Sequence, residues 1–585
     1  MRLSDFALAG LAATRALVHA LPDEDAKPLQ SILTRSGKHG KRPNIVFVMT
    51  DDQDLHLDSL KYLPKIKKHL IDQGTYYSRH YCTIAICCPS RVSLLTGKAA
   101  HNTNVTDVVV PYGGYPKFIS QGLNDNYLPL WLQEAGYSTH YVGKLMNGHN
   151  TTNYNNPYPA GWDQNSFLLD PYTYQYLSPA FQLNREKPVV YAGEYLSDLL
   201  AERAYGFLDD AVAGKKPFFL GVAPIAPHGN GKGGAFTEPI PDPRYAGLFK
   251  DAVSPRTPNF NPDQASGASW LLTLPQQNAT NVAYNDHFYR QRLRSLQSVD
   301  EMVEQLVHRL DKHGVLDNTY IVYTSDNGYH IGNHRMQPGK TCGYEEDINV
   351  PFVIRGPGVA RGLTTSIVSS HTDIAPTFLK MAQRPPRPEF DGLAIPYLPQ
   401  DLHRAKKDRF EHVNVEFWGT GGVEGVYSGP SQPNNTYKAV RVAGDKYNVY
   451  YSVWCTNEHE LYDLHADRYQ MHNLLAGSGW KRRQLFGRPL AQVVARLDAV
   501  LLVLKSCMAD VCVQPWKYLQ PGAGVADLQA ALQPRFDTFY ARQQAKAKVE
   551  FSRCALGYLL DAEGPQFNLT QLMTREDGSR WEDWV

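Results

Sequence analysis

The sequence predicts an α/β fold, a mostly parallel sheet sandwiched by helices, followed by a smaller C-terminal α+β subdomain. Three observations predict it. Apolar runs without alternation recur through the first half of the chain, as expected of strands covered on both faces. Segments with apolar residues at helical spacing lie between them and can serve as crossovers. Beyond about residue 400 the pattern changes to a charge run and strand-like stretches.

The elements follow in order. Pro43 and the charge at Asp51 bound the first run, Asn44-Ile45-Val46-Phe47-Val48-Met49-Thr50. Leu60, Leu63, Ile66 and Leu70 then stand at helical spacing before Gly74, which predicts a helix over 60–71. A helix over 128–134, stopped by Gly136, leads into a strand over 137–142, and a helix over 196–212 leads into a strand over 217–222. Another carries Leu296, Val299, Val303, Leu306 and Leu310 on one face, stops at Gly314 and leads into a strand over 319–324. Arg404 to Arg409 is read as a solvated charge run. Strands over 437–442 and 446–453, with helices near 490–504 and 525–532, predict the small antiparallel sheet and its cover. The expected division is a catalytic unit over 41–400 and a C-terminal subdomain over 401–585.

Of 585 residues, 43% are hydrophobic and 20% charged, which excludes intrinsic disorder and allows large cores. Lys and Arg number 59 against 58 Asp and Glu, a net charge of +1 that gives no global field toward nucleic acid or acidic membranes. Anion specificity must then be local. Eight cysteines, at 82, 87, 88, 342, 455, 507, 512 and 554, are too few for a disulfide scaffold but enough to staple a secreted enzyme, and their pairing is left open. Residues 1–20 offer Arg2, an apolar stretch and a small-residue site before Leu21-Pro22, which reads as a secretory signal. Sequons at Asn104, Asn150, Asn278, Asn434 and Asn568 agree with secretion, and no later apolar run is long enough to span a membrane.

In open α/β sheets the ligand site lies beyond the carboxyl ends of the strands. The expected strand exits carry Asp51-Asp52, Lys144, His228 and Asp326-Asn327. Each alone reads as an ordinary polar loop residue; their convergence is the signal. Asp51, Asp52, Asp326 and Asn327 are all-oxygen donors, suited to Ca²⁺, with Mg²⁺ the lesser alternative, while zinc prefers nitrogen and sulfur. Asp54 is read as a solvated loop residue. In Cys87-Cys88-Pro89-Ser90-Arg91, proline at a first helical position puts Cys87 just before a helix start, where N–H groups face a bound anion, and Arg91 adds charge-assisted donors. By itself the Cys87-Cys88 pair also reads as buried hydrophobes, a disulfide half or a low-pKa thiolate.

Cys87, Pro89, Ser90, Arg91, Leu95, Thr96, Gly97 and Lys98 complete the pattern Cys-x-Pro-Ser-Arg, x-x-x-Leu-Thr-Gly and a basic residue, and through it the chain resembles the formylglycine-dependent sulfatase family. The resemblance continues in Asn44 to Asp52, Gly143-Lys144, Ala226-Pro227-His228, Ser325-Asp326-Asn327-Gly328, Gly339-Lys340, Asp373-Ile374-Ala375-Pro376-Thr377 and Glu460-Leu461-Tyr462-Asp463-Leu464, covering about residues 41 to 475. Its Cys-Cys pair and Asp-Asn-Gly-Tyr-His at 326 to 330 look nearest the branch of fungal-type arylsulfatases and glucosamine-6-sulfatases. The resemblance implies an alkaline-phosphatase-like fold and conversion of Cys87 to formylglycine by a formylglycine-generating enzyme. It also implies a calcium ion held by Asp51, Asp52, the modified Cys87, Asp326 and Asn327, a cationic clamp of Arg91, Lys144 and Lys340, and His228 as leaving-group acid.

The implied reaction is hydrolysis of a sulfate monoester, small-molecule or glycan, with aryl sulfate first. Carbohydrate sulfatase, phosphoester or phosphonate hydrolase of the same fold, and an inactive glycan-binding relative are the alternatives. One departure stands out: many members carry a histidine two residues after the lysine of Gly-Lys, and here Met146 stands there, with His149 or His330 as possible substitutes or ordinary loop histidines. The irregular stretch over 150–189 and the loop over 229–263 are expected to form the substrate rim. Trp162, Tyr172, Tyr174 and Tyr176 are either ring-stacking groups or core aromatics.

Overall fold

Asn44–Thr50 forms a central strand in which every residue is buried. Ile45, Phe47 and Met49 face an apolar cluster with Phe118, Trp131 and Phe378, while Val46 and Val48 face a second with Leu200, Val299 and Val303. Successive side chains point to opposite faces, so a strand with helices on both sides needs apolar residues throughout. The computed structural model describes residues 42–232 and 235–567; the expected signal over 1–20 and the sequon at Asn568 lie outside the described residues.

A ten-stranded sheet runs in the order Leu363–Thr365, Thr75–Tyr77, Phe352–Arg355, Thr319–Ser325, Asn44–Thr50, Phe218–Ala223, Ser138–Lys144, Gln164–Leu168, Ala180–Leu183, Val189–Val190. Its middle five strands, from Thr319–Ser325 to Gln164–Leu168, are parallel. Antiparallel pairings appear toward both edges. The register sets Thr50 beside Ser325, and Asp51 bridges Pro227. Asp51, Asp326 and His228 therefore leave the sheet at one end.

Helices Leu196–Ala213 and Ala279–Lys312 cover one face, and Cys87–Thr96, Leu128–Glu134 and Ile374–Met381 cover the other. The helix expected over 60–71 is instead broken into a 3₁₀ turn Ser59–Tyr62, a short α segment Pro64–Ile66 and a π turn Lys67–Ile71. Pro64 cannot continue a helix from Leu63, so it starts a new one. Asp300 accepts from Lys65 N and Ile66 N there. The stretch over 150–189 is less irregular than expected, because it supplies three strands to the sheet edge.

Four antiparallel strands, His412–Phe417, Tyr437–Ala443, Asn448–Trp454 and His459–Asp463, form the smaller sheet. Helix Leu490–Leu504 covers it, with Leu497, Val500 and Leu501 in one cluster with Val440, Val449 and Tyr451. The helix expected near 525–532 is one turn, Leu528–Ala531, capped by Asp527. Disulfides join Cys455 to Cys554 and Cys507 to Cys512; Cys82, Cys87, Cys88 and Cys342 are free and buried.

The charge run over 404–409 is not uniformly solvated. It ends helix Pro399–Asp408, and Arg409 turns inward to donate to Asp373 Oδ2 at 2.7 Å and Val368 O at 2.8 Å. Asp373 is fully buried, so Arg409→Ala leaves an unpaired internal carboxylate. We expect a loss of about 3 kcal/mol, measured as a lower urea midpoint at unchanged m-value. A midpoint equal to wild type would refute this account of the pair.

Candidate active site

The Cys87 helix runs Cys87–Thr96 with Ile86 at its N-cap, and all ten residues are buried. Cys87 is thus the first helical residue rather than the one before the helix, and Pro89 is the third. Proline fits there because the first four N–H groups of a helix have no internal acceptor. Gly97 ends the helix at φ 68°, against the ring of Phe390, where an added Cβ would lie 2.6 Å away. Cys87 Sγ lies 3.4 Å from Asp51 Oδ1 and 3.9 Å from Asp52 Oδ1. Burial first, and Asp51 second, push the Cys87 thiol well above its ordinary range, and burial raises Cys88 to about 12. Both shifts run against the low-pKa thiolate reading of the pair.

Around Cys87 the cations interlock with carboxylates. Lys144 Nζ donates to Asp51 Oδ2 at 2.6 Å, and Lys340 Nζ donates to Asp52 Oδ2 at 2.5 Å. Arg91 Nε donates to Asp326 Oδ2 at 2.8 Å and Nη1 donates to Lys144 O at 2.5 Å. Its Nη2 is buried without a hydrogen-bond partner, 3.5 Å from Asp51 Oδ2. A buried guanidinium N–H left open costs free energy unless something binds it, so it is a donor for an anion. Burial alone would raise Asp51, but Lys144, His228 and Arg91 outweigh it and leave that carboxyl lowered to about 2.

Asp51, Asp52, Cys87 and His228 bring ligand atoms within 4.8 Å of one another. Asp52 sits at φ 66°, and that turn carries its carboxylate back toward Cys87. Asn327 Nδ2 donates to Asp52 Oδ1 at 2.8 Å, while its Oδ1 is buried and unpartnered. Asp326 faces differently: Oδ1 accepts from Asp52 N and Asn327 N, and Oδ2 from Arg91. Paired carboxylates with an orphaned amide oxygen fit a hard, oxygen-preferring cation.

His228 Nδ1 donates to Gly229 O at 2.9 Å, which leaves Nε2 facing Asp52 Oδ2 at 3.5 Å. Its ring stacks on Tyr174 at 4.2 Å, and Lys144 Nζ lies 4.8 Å from the centroid of the Tyr174 ring. Among the rim aromatics, Tyr174 therefore reaches the site. Tyr176 donates to His228 O, and Trp162 belongs to the core. Met146 is buried in the same core cluster. His149 and His330 are both buried rather than ordinary loop histidines. His149 lies against Tyr115 and Phe167, with burial lowering it to about 4, and His330 pairs with Asp347 at 2.8 Å. Neither belongs to the Cys87 group.

Asp54 is also buried, not solvated, and accepts from Arg292 Nη2 at 3.1 Å. Arg292 also donates to Asp52 O at 2.6 Å and lies 3.9 Å over the Tyr329 ring. Tyr329 OH donates to Glu424 Oε2 at 2.7 Å, and Glu424 Oε1 is 3.6 Å from Lys340 Nζ. Sequence reasoning missed Arg292, Tyr329 and Glu424. Arg292 carried a signal, since it lies four residues before Leu296 on the apolar face of its helix. Glu424 carried a weaker one, a lone carboxylate among Gly421, Gly422 and Gly425, where backbone can approach closely.

A buried constellation of this kind, at the carboxyl ends of parallel strands, defines a hydrolase for esters of a tetrahedral oxyanion. A family model described as Sulfatase matches residues 43–383, and the chain belongs to the sulfatase family, as a sulfuric ester hydrolase. It is 38% identical to an arylsulfatase of Volvox carteri over 87% of this chain and 81% of that protein. To an arylsulfatase of Chlamydomonas reinhardtii it is 37% identical over 97% and 87%. An N-acetylglucosamine-6-sulfatase of Capra hircus is 30% identical over 83% and 87%. A solved structure of BT4656, in complex with its substrate D-glucosamine-2-N,6-O-disulfate, shares the fold at TM-score 0.61 and 24% identity, over 76% of this chain and 95% of that one.

Proposed function

We propose that the protein hydrolyses aryl sulfates to a phenol and inorganic sulfate, with formylglycine made from Cys87 as nucleophile and calcium held by Asp51, Asp52, Asp326 and Asn327. The observation that carries this reading is Cys87 in the first turn of a buried helix, 3.4 Å from Asp51 and ringed by Arg91, Lys144 and Lys340. When present, formylglycine hydrate supplies one hydroxyl for attack on sulfur and a second for release of sulfate, and calcium supplies Lewis acidity.

The chain's own residues do the rest. Lys144 and Lys340, each on a carboxylate of the Asp pair, hold positive charge where the sulfuryl oxygens gather negative charge. Arg91 is fixed through Nε and Nη1, so its open Nη2 is oriented before substrate arrives. His228 keeps its Nδ1 proton on Gly229 O, which leaves Nε2 to carry a proton to the departing alcohol oxygen. Met146 cannot take that role, so the proton falls to His228.

The test is the mass of the tryptic peptide from His80 to Arg91, from protein made in its own host. Formylglycine lowers it by about 18 Da relative to the thiol form. An unmodified peptide from turnover-competent enzyme would overturn the nucleophile. Tyr174 gives a second check. Tyr174→Leu removes the ring under Lys144 and His228 and is expected to lower kcat/KM for aryl sulfate about tenfold, with Tyr174→Phe near wild type. Equal rates for Leu and Phe would show that the ring is idle.

A carbohydrate sulfatase is the second reading, favoured by the N-acetylglucosamine-6-sulfatase relative; comparing N-acetylglucosamine 6-sulfate with aryl sulfate separates the two. Secretion is supported by two disulfides and by the sequons, Asn278 and Asn434 being exposed and Asn104 and Asn150 half-buried. Among the described residues no helix is long and apolar enough to cross a membrane. We place the catalytic unit over 41–400 and the subdomain over 401–585, with Glu424 reaching the site from the latter.

A further inference from the structure

The groups around Cys87 leave one buried charge unused. Glu424 lies between the strands His412–Phe417 and Tyr437–Ala443 of the smaller sheet. Its segment is stitched to the catalytic wall: Gly422 N donates to Thr341 Oγ1 at 2.9 Å, Glu424 N to Pro338 O at 2.7 Å, and Gly425 N to Phe236 O at 2.9 Å. A Cβ on Gly339 would lie 2.3 Å from Gly422 O, so the two segments are back to back where Lys340 begins. The Glu424 carboxylate is fixed by Tyr329 OH at 2.7 Å and stands 3.6 Å from Lys340 Nζ. An added Cβ on Gly229, next to His228, would meet it at 3.2 Å.

A buried carboxylate costs stability unless a cation answers it. Lys340 is already committed to Asp52 at 2.5 Å, and the Tyr329 phenol is neutral. Arg292 answers Asp54. Around Cys87 the cations Arg91, Lys144 and Lys340 are matched by the carboxylates of Asp51, Asp52 and Asp326. Glu424 is thus a fourth carboxylate, sharing Lys340 with Asp52, and sets a fixed negative charge in the wall of the clamp whatever a bound cation or a protonated His228 adds. A sulfate monoester carries one negative charge, whereas a phosphate monoester carries close to two at and above neutral pH. A fixed negative charge penalises the second twice as much as the first.

We propose that Glu424 is a specificity-determining residue that biases the site toward singly charged sulfate esters and against doubly charged phosphate esters of the same alcohol. This rests on the sulfate-ester reading above. At an effective dielectric of about 20, a unit charge beside the clamp is worth at least about a tenfold factor for each charge on the ester.

The experiment compares aryl sulfate with aryl phosphate on wild type, Glu424→Gln and Glu424→Asp, and titrates inorganic sulfate into each by calorimetry. In Glu424→Gln the phosphate-to-sulfate ratio of kcat/KM is expected to rise about tenfold, and inorganic sulfate, a dianion, to bind about a hundredfold tighter. Glu424→Asp keeps the charge and should keep the wild-type ratio. A purely structural role predicts the opposite pattern: both esters fall in step and sulfate binds more weakly. That pattern, or an unchanged ratio, overturns the assignment. If wild type hydrolyses neither ester, the sulfate-ester reading fails on its own and the calorimetry still decides Glu424. Should Glu424→Gln not fold, Glu424→Ser removes the same charge and carries the same expectation.

Discussion

Replacement of Cys87 by alanine is expected to remove turnover of aryl sulfate by about 10⁵-fold or more, the scale seen when a covalent nucleophile is deleted. The fold should survive. Cys87 Sγ contributes contacts to the carboxylates of Asp51 and Asp52, which repel a developing thiolate rather than bind one, so its loss leaves a small void and no orphaned charge. Thermal unfolding within a few degrees of wild type, together with lost kcat, is the combination expected. Cys87→Ser makes the argument sharper. A serine hydroxyl fits the same space and can attack once, but it lacks the second hydroxyl needed to release sulfate, so a single burst without turnover is expected. Wild-type kcat in either variant would sink the mechanism.

Asp52→Asn is expected to have the next largest effect. Asp52 sits at φ 66°, a region that asparagine tolerates and alanine does not, so the amide variant isolates charge from backbone strain. Its Oδ2 is the acceptor for Lys340, and its Oδ1 accepts from Asn327. Removing that charge frees Lys340 from its anchor and deletes one of the two carboxylates nearest Cys87. Loss of bound calcium by elemental analysis and a fall in kcat/KM of about 10³-fold are expected together. A variant that retains full calcium and loses activity would remove Asp52 from the metal set and leave it as the anchor of Lys340 alone.

Much of the fold was legible because its strongest signals are local. A strand buried on both faces has to be apolar along its middle, and residues 45–49 and 320–323 are, with polar residues confined to the strand ends. A long helix packed on one side repeats its apolar residues, as Leu296, Val299 and Val303 do. The helix that apolar spacing predicts over 60–71 breaks because Pro64 starts a new segment, a break that the spacing conceals. Solvation was misjudged for Asp54 and Arg409 for a related reason. Charge in a sequence gives no hint of the partner that lets it be buried, and those partners lie 238 and 36 residues away.

The candidate site divides along the same line. Asp51, Asp52, Lys144, His228 and Asp326 stand at strand ends, so topology alone gathers them. Glu424 comes from the loop between two strands of the smaller sheet, and the chain between it and Lys340 holds no pattern that would announce their meeting. Cys88, open in the sequence to a buried, a disulfide-bonded or a thiolate reading, is free and packs in the same core cluster as Met146, the residue that stands where the family carries a histidine.

The depth of Cys87 has a consequence for the order of events in the life of the molecule. It is 2% exposed, in the first turn of a helix pinned between two strand ends 275 residues apart in sequence. A modifying enzyme would have to reach a side chain that the folded molecule buries, beside the sheet end where Thr319–Ser325 docks on Asn44–Thr50. Under the formylglycine reading, maturation and folding therefore compete for the same nascent chain. A molecule that folds first is locked out of activity for good, so a host that slows closure of the sheet should yield a larger active fraction from identical polypeptide.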